Sequence, residues 1–146
     1  MIQLFTIGFT KKNAERFFGL LHDSGVRRIL DVRLNNTSQL AGFAKRDDLA
    51  YFLRAIGDIE YIEMPALAPT EAIMDSYKHK VKDWAAFETE YRALLASRNV
   101  VDLLSREMLD RACLLCSEDT PDRCHRRLAA EYLAAHFADI EIVHLI

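Results

Sequence analysis

Leu114-Leu115-Cys116-Ser117-Glu118-Asp119-Thr120-Pro121-Asp122-Arg123-Cys124-His125-Arg126-Arg127 reads as the end of a strand, a polar turn and the start of a helix. The apolar run from Ala112 to Ser117 has the length and character of a strand covered on both faces. Thr120 followed by Pro121 offers a hydroxyl cap and a fixed φ at the first helical position, so a helix is expected from Pro121 to His136. Leu128, Ala129, Tyr132 and Leu133 supply its apolar stripe. A strand that passes straight into a helix is the repeating unit of parallel α/β sheets.

The same alternation extends in both directions. Downstream, Ile140 to Leu145 reads as a closing strand. Upstream, Ile2 to Gly8 forms the first strand, Gly8 lets the chain turn, and Thr10 is placed to cap a helix running to Ser24 on Phe17, Phe18, Leu20 and Leu21. Arg28 to Leu34 then predicts a second strand, parallel to the first and beside it through a right-handed crossover. After the polar stretch Asn35 to Gln39 come a helix from Asp47 to Ile56, a strand at Ile59 to Glu63 and a proline-containing loop from Met64 to Thr70. Helices follow at Glu71 to Lys78, Trp84 to Ser97 and Val100 to Leu109. No repeat, low-complexity tract or shift in composition divides residues 1 to 146. The expectation is one α/β domain with a mainly parallel five-stranded sheet and helices on both faces.

Composition narrows the function classes. A chain of 146 residues, 51% hydrophobic, can bury roughly 68–70% of its unfolded surface without covalent staples. Nineteen basic against 22 acidic residues give a net charge of −3, so nothing global draws the molecule to nucleic acid or an anionic membrane. No apolar run approaches the roughly eighteen residues of a membrane span, and Met1 to Phe5 lacks the basic start of a secretory leader. A cytoplasmic location is therefore expected, and no membrane partner. The three cysteines, an odd number, are expected as reduced thiols.

In open parallel sheets, ligands sit beyond the carboxyl ends of the strands. Gly8 and Thr10 follow the first strand, and Arg33, Asn35, Asn36 and Ser38 follow the second. Cys116, Ser117 and Glu118 follow the fourth, with Cys124, His125, Arg126 and Arg127 on the next helix. A helix start favours thiolate and bound anions, which makes Cys116 a candidate nucleophile and His125 its base or proton donor. Arg33 and Arg126 would bind an anionic part of a substrate, with Gly8, Thr10, Asp31, Ser38, Glu118 and Cys124 around it. The bland alternatives are concrete. Cys113 points away from Cys116 on a strand and reads as a core residue, which weakens the C-x-x-C spacing as a metal or redox signal. Asp31 and Arg33 share a face and would serve equally well as a salt bridge ordering the strand end, while Cys124 and His125 would serve as packing wedges. The run from Lys78 to Lys82 reads as a solvated face, and His144 as a sheet residue.

Taken together, T-I-G-F-T at 6–10, D-V-R at 31–33, P-A-L-A-P-T at 65–70, L-C-S-E-D-T-P-D-R-C-H-R-R at 115–127 and the terminal His144-Leu145 resemble the domain-of-unknown-function 488 family over essentially the whole chain. The resemblance implies a small bacterial or archaeal cytoplasmic α/β protein with no established activity. Its signature falls here on Gly8, Asp31, Arg33, Cys116, Glu118, Cys124, His125 and Arg126.

Three functional readings follow. The first is a thiol-assisted enzyme, or binding protein, for a small polar or anionic molecule. Phosphate-ester hydrolysis is disfavoured within it, because six residues separate Cys116 from Arg123 where the cysteine phosphatases have five. The second is a metal site of Cys116, Cys124 and His125, with Glu118 as a further candidate ligand. Adjacent Cys124 and His125 would diverge by about a third of a turn on a helix, so no metal and no cofactor is assigned. The third is a non-enzymatic module binding nucleic acid or protein through Lys78 to Lys82, Arg123, Arg126 and Arg127.

Overall fold

Branched and apolar runs form the strands of the computed structural model, which describes residues 1–146. The strands are β1 (Ile2–Gly8), β2 (Arg28–Asp31), β3 (Glu60–Glu63), β4 (Ala112–Cys116) and β5 (Ile140–Leu145). All pairings are parallel, in the order β3-β2-β4-β1-β5. The helices are α1 (Ala14–Ser24), α2 (Arg46–Gly57), α3 (Glu71–Lys78), α4 (Trp84–Ser97), α5 (Arg106–Leu109) and α6 (His125–His136).

Alternation along the strands sends side chains to two separate cores. Leu4, Leu30, Leu114 and Cys116 pack against Phe87, Tyr91 and Leu95 of α4 and Leu128 and Leu133 of α6. Phe5, Ile7, Ile29, Cys113 and Leu115 pack on the opposite face against Phe17 and Leu21 of α1 and Leu49 and Leu53 of α2. The sheet is therefore covered by helices on both faces, as expected.

β1 and β2 are parallel but not neighbours. β4 lies between them, with Phe5 opposite Cys113 and Leu30 opposite Leu114. The reason is burial: all five residues of β4 are buried, as a central position requires, whereas β3 carries exposed Glu60 and Glu63 and suits an edge.

Several boundaries also differ from expectation. Thr10 is exposed, and the cap of α1 is Asn13, whose side chain accepts from the Arg16 amide. β2 stops at Asp31 because the Asp31 carboxylate takes the Arg33 N–H at 3.1 Å and turns the chain. Gln39–Ala44, Pro65–Leu67 and Val100–Leu103 are 3-10 turns. Extended Leu104 and Ser105 separate the last of these from α5, so the helix expected over Val100 to Leu109 is two short pieces. The largest shift is at α6. Thr120 does not cap it; the helix begins at His125, and Cys124 is its extended N-cap with φ −131° and ψ 137°.

Candidate functional site

The late start of α6 leaves Ser117 to Arg123 as a loop, and buried polar contacts fix its path. Arg126 is fully buried, and its Nη1 donates to the Glu118 carbonyl at 2.6 Å. Nη2 reaches the Asp119 carbonyl and Nε the Thr6 hydroxyl, each at 3.4 Å. Lys12 Nζ holds the Asp119 carboxylate at 3.1 Å, and the Thr10 N–H donates to the Ser117 carbonyl at 3.1 Å. The loop passes so close to β1 that a Cβ on Gly8 would lie 1.5 Å from the Glu118 carbonyl oxygen. Gly8 and Arg126 therefore shape the loop from outside the cavity it borders.

That cavity measures about 200 Å³ and joins the ends of β2 and β4 to the α3–α4 side of the molecule. Arg33, Asn35, Cys116, Glu118, Cys124 and His125 line it together. Of the other residues assigned to ligand contact, Thr10 and Ser38 are exposed and Asp31 is buried, and none lines the cavity. Ser38 accepts from the Leu40 amide instead. The Asp31 carboxylate binds Arg33 through Nε at 2.9 Å and Nη2 at 2.8 Å, and also accepts from the Tyr61 hydroxyl at 2.5 Å. Burial is the largest single influence on Arg33 and works to lower its pKa, but the hydrogen bond and charge of Asp31 together with Tyr61 outweigh it and raise it. Arg33 is thus a fixed cation whose donors toward Asp31 are already engaged.

Cys116 lies at the junction of these elements. Its Sγ is 3.5 Å from His125 Nδ1 and 3.9 Å from Nε2. Nε2 is 2.6 Å from the Val32 carbonyl. A carbonyl can only accept, so this contact assigns the proton to Nε2 and leaves Nδ1 toward the sulfur. The Cys124 thiol is directed at Cys116 and is the largest influence lowering its pKa, against the opposing effect of burial. The Ser117 amide, the charge of Arg126 and the Glu118 amide act in the same downward direction. Arg126 forms no ion pair with any carboxylate, and its uncompensated charge favours a Cys116 thiolate. Burial pushes Cys124 and Cys113 the other way, well above the ordinary thiol range. Three cysteines thus occupy three environments.

The donor atoms of Cys116, Cys124 and His125 all lie within 4.8 Å of one another. The divergence expected of Cys124 and His125 does not arise, because Cys124 precedes the helix in extended conformation. Two sulfurs and an imidazole nitrogen are a donor set that would suit zinc, and Cys116, Cys124 and His125 would hold it at the cavity wall.

The remaining wall was not anticipated. Met74 and Tyr77 of α3 and Trp84 and Phe87 of α4 close the cavity with apolar surface, and Lys78 and Arg123 stand at its rim. The Trp84 and Phe87 rings stack at 4.9 Å, a consequence of their i,i+3 spacing. That spacing was visible in the sequence, but it reads there as an ordinary helix face.

The family model for the domain of unknown function DUF488 matches residues 13–133. The chain belongs to this family. The matched span includes the residues that line the cavity, with Cys116, Cys124 and His125 among them. No curated protein and no solved structure shows significant similarity to it.

Proposed function

We propose that this DUF488 protein is a thiol-dependent enzyme acting on a small polar or anionic molecule held in the strand-end cavity. The observation that carries the reading is Cys116, with its sulfur 3.5 Å from His125 Nδ1 beside a buried arginine that has no carboxylate partner. In the proposed step His125 Nδ1 takes the thiol proton, and the Cys116 sulfur forms a bond to an electrophilic substrate atom. The bond from that atom to its leaving group breaks, and the leaving group departs with the proton from His125. Water then displaces the sulfur, with His125 accepting its proton and returning it to the thiolate. Arg33 and Arg123 supply positive charge at the cavity wall.

A second reading is a metal centre on Cys116, Cys124 and His125, favoured by their mutual distances. One experiment separates the two. On protein carrying well under one equivalent of zinc, brief treatment with iodoacetamide near neutral pH should label Cys116 ahead of Cys113 and Cys124, as read by mass spectrometry. Equal, slow labelling of all three thiols overturns the thiolate reading. Stoichiometric zinc whose removal unfolds the protein makes the metal reading the correct one.

A further inference from the structure

The cavity does not end at its rim. Tyr77, Lys78, Trp84 and Arg123 line both it and an adjoining open groove of about 650 Å³ beside the α3–α4 turn. Lys80 and Lys82 add to this groove, where the only acidic residue is Asp83. Asp83 is engaged in capping α4, accepting from the Ala86 amide at 2.9 Å, and Lys82 pairs with Glu90. Lys78, Lys80 and Arg123 are exposed. A chain of net charge −3 thus concentrates positive charge at the mouth of the cavity that holds Cys116.

Inside, the character changes. The half-buried aromatic faces of Tyr77 and Trp84 offer flat surface, and the volume of about 200 Å³ accommodates one ring system and little more. Glu118 and Asn35, exposed residues of the lining, add hydrogen-bonding groups at its edge: a carboxylate opposes an anion but can accept from ring N–H or amino groups, and the Asn35 amide can both donate and accept. An aromatic-walled cavity with hydrogen-bonding groups at its edge, continuous with a cationic groove, suits a ligand with a flat amino-substituted ring at one end and phosphate at the other.

We infer that the site takes a nucleotide, with its base in the inner cavity against Trp84 and Tyr77 and its phosphate in the groove of Lys78, Lys80 and Arg123. This names a substrate class for the thiol-dependent reading and rests on it only for the chemistry, not for the binding. The same unit is presented by a free nucleoside monophosphate or by one residue of a single strand.

The test is calorimetric titration of the full chain with the four nucleoside 5′-monophosphates, adenosine and inorganic phosphate, with the fluorescence of Trp84, the single tryptophan, followed in parallel. An amino-bearing monophosphate should bind at least about tenfold tighter than adenosine or phosphate alone and weaken with added salt, since ring and phosphate each contribute. Lys78→Glu and Arg123→Glu should each weaken it roughly tenfold, with unchanged melting temperature because both side chains are exposed. Tighter binding of tetra-adenylate than of AMP identifies a strand as the source, and equal binding identifies the free nucleotide. The inference is overturned if phosphate binds as well as every nucleotide, or if no nucleotide binds saturably. Selective labelling of Cys116 that persists in that case removes the substrate class and leaves the thiol chemistry standing.

Discussion

At the scale of single residues, the site depends on groups outside the lining of its cavity. Arg126 is the clearest case. Its guanidinium is spent on the carbonyls of Glu118 and Asp119, and its charge favours the Cys116 thiolate from behind. Gly8 is its steric counterpart, because β1 and the Glu118 carbonyl approach too closely for any side chain. Gly8→Ala should therefore destabilise the protein by about 3 kcal/mol, the upper end for forced overpacking, because the obstacle is backbone and cannot rotate aside. Thermal unfolding checks this: a melting temperature within a degree of wild type would mean the loop gives way without cost. Both residues were singled out from sequence as ligand contacts. The sequence motif marks both residues without separating one that packs against a loop from one that lines a cavity, because the two look alike in one dimension; the structure puts both against the loop.

At the scale of elements, the end of β2 and the start of α6 decide the site. The Asp31–Arg33 pair was read both as substrate machinery and as a strand-end salt bridge. With side chains 0% and 2% exposed and two parallel hydrogen bonds, it is a buried bidentate ion pair that places Arg33 on the cavity wall. Asp31→Asn leaves a buried guanidinium without its counter-charge, so a loss of roughly 3–5 kcal/mol is expected. Urea unfolding measures it, and a loss under about 1 kcal/mol would mean the pair is dispensable to the fold. The start of α6 shows how local signals are outvoted. Thr120-Pro121 has the chemistry of a helix start, yet the segment to Arg123 wraps around Arg126 and the helix begins only at His125. Had the helix started at Pro121, Cys124 and His125 would have diverged. The extended Cys124 is what brings two thiols and an imidazole together.

At the scale of the whole molecule, stability should occupy a window of pH. Cys113, Cys124 and Tyr91 have pKa values pushed up chiefly by burial. Tyr61 is raised as well, by burial and then by Asp31. Each of these groups ionises more readily once unfolded. Their contribution is present below the unfolded values, about 8.5 for cysteine and about 10 for tyrosine, and is lost as pH rises toward the folded ones. Cys116, lowered in the fold, opposes this trend but is one group against four. His144 acts at the acid side. Burial first, then the charge of Arg126, lowers its pKa, so stability falls as pH drops through the unfolded histidine value near 6.5. Melting temperatures across this range should therefore peak between about pH 6.5 and 8.5 and fall on the alkaline side. A melting temperature that keeps rising to pH 10 contradicts this accounting.

What short-range physics controls could be read along the chain. Alternation placed Cys113 and Cys116 in opposite cores, and apolar patterning placed α3, α4, β1 and β5 at the bounds they have. The candidate thiol and its histidine were legible for the same reason: they sit in one continuous strand-loop-helix segment. Tertiary structure alone decided that β4 lies between β1 and β2, because strand order follows the burial each strand can reach in the finished sheet. It alone brought Tyr77 and Trp84 over Cys116, since the packing of α3 and α4 on the sheet depends on contacts between segments distant in sequence. Local propensity fixes an element, but a cavity exists only where several elements meet, and no single stretch of chain encodes that meeting.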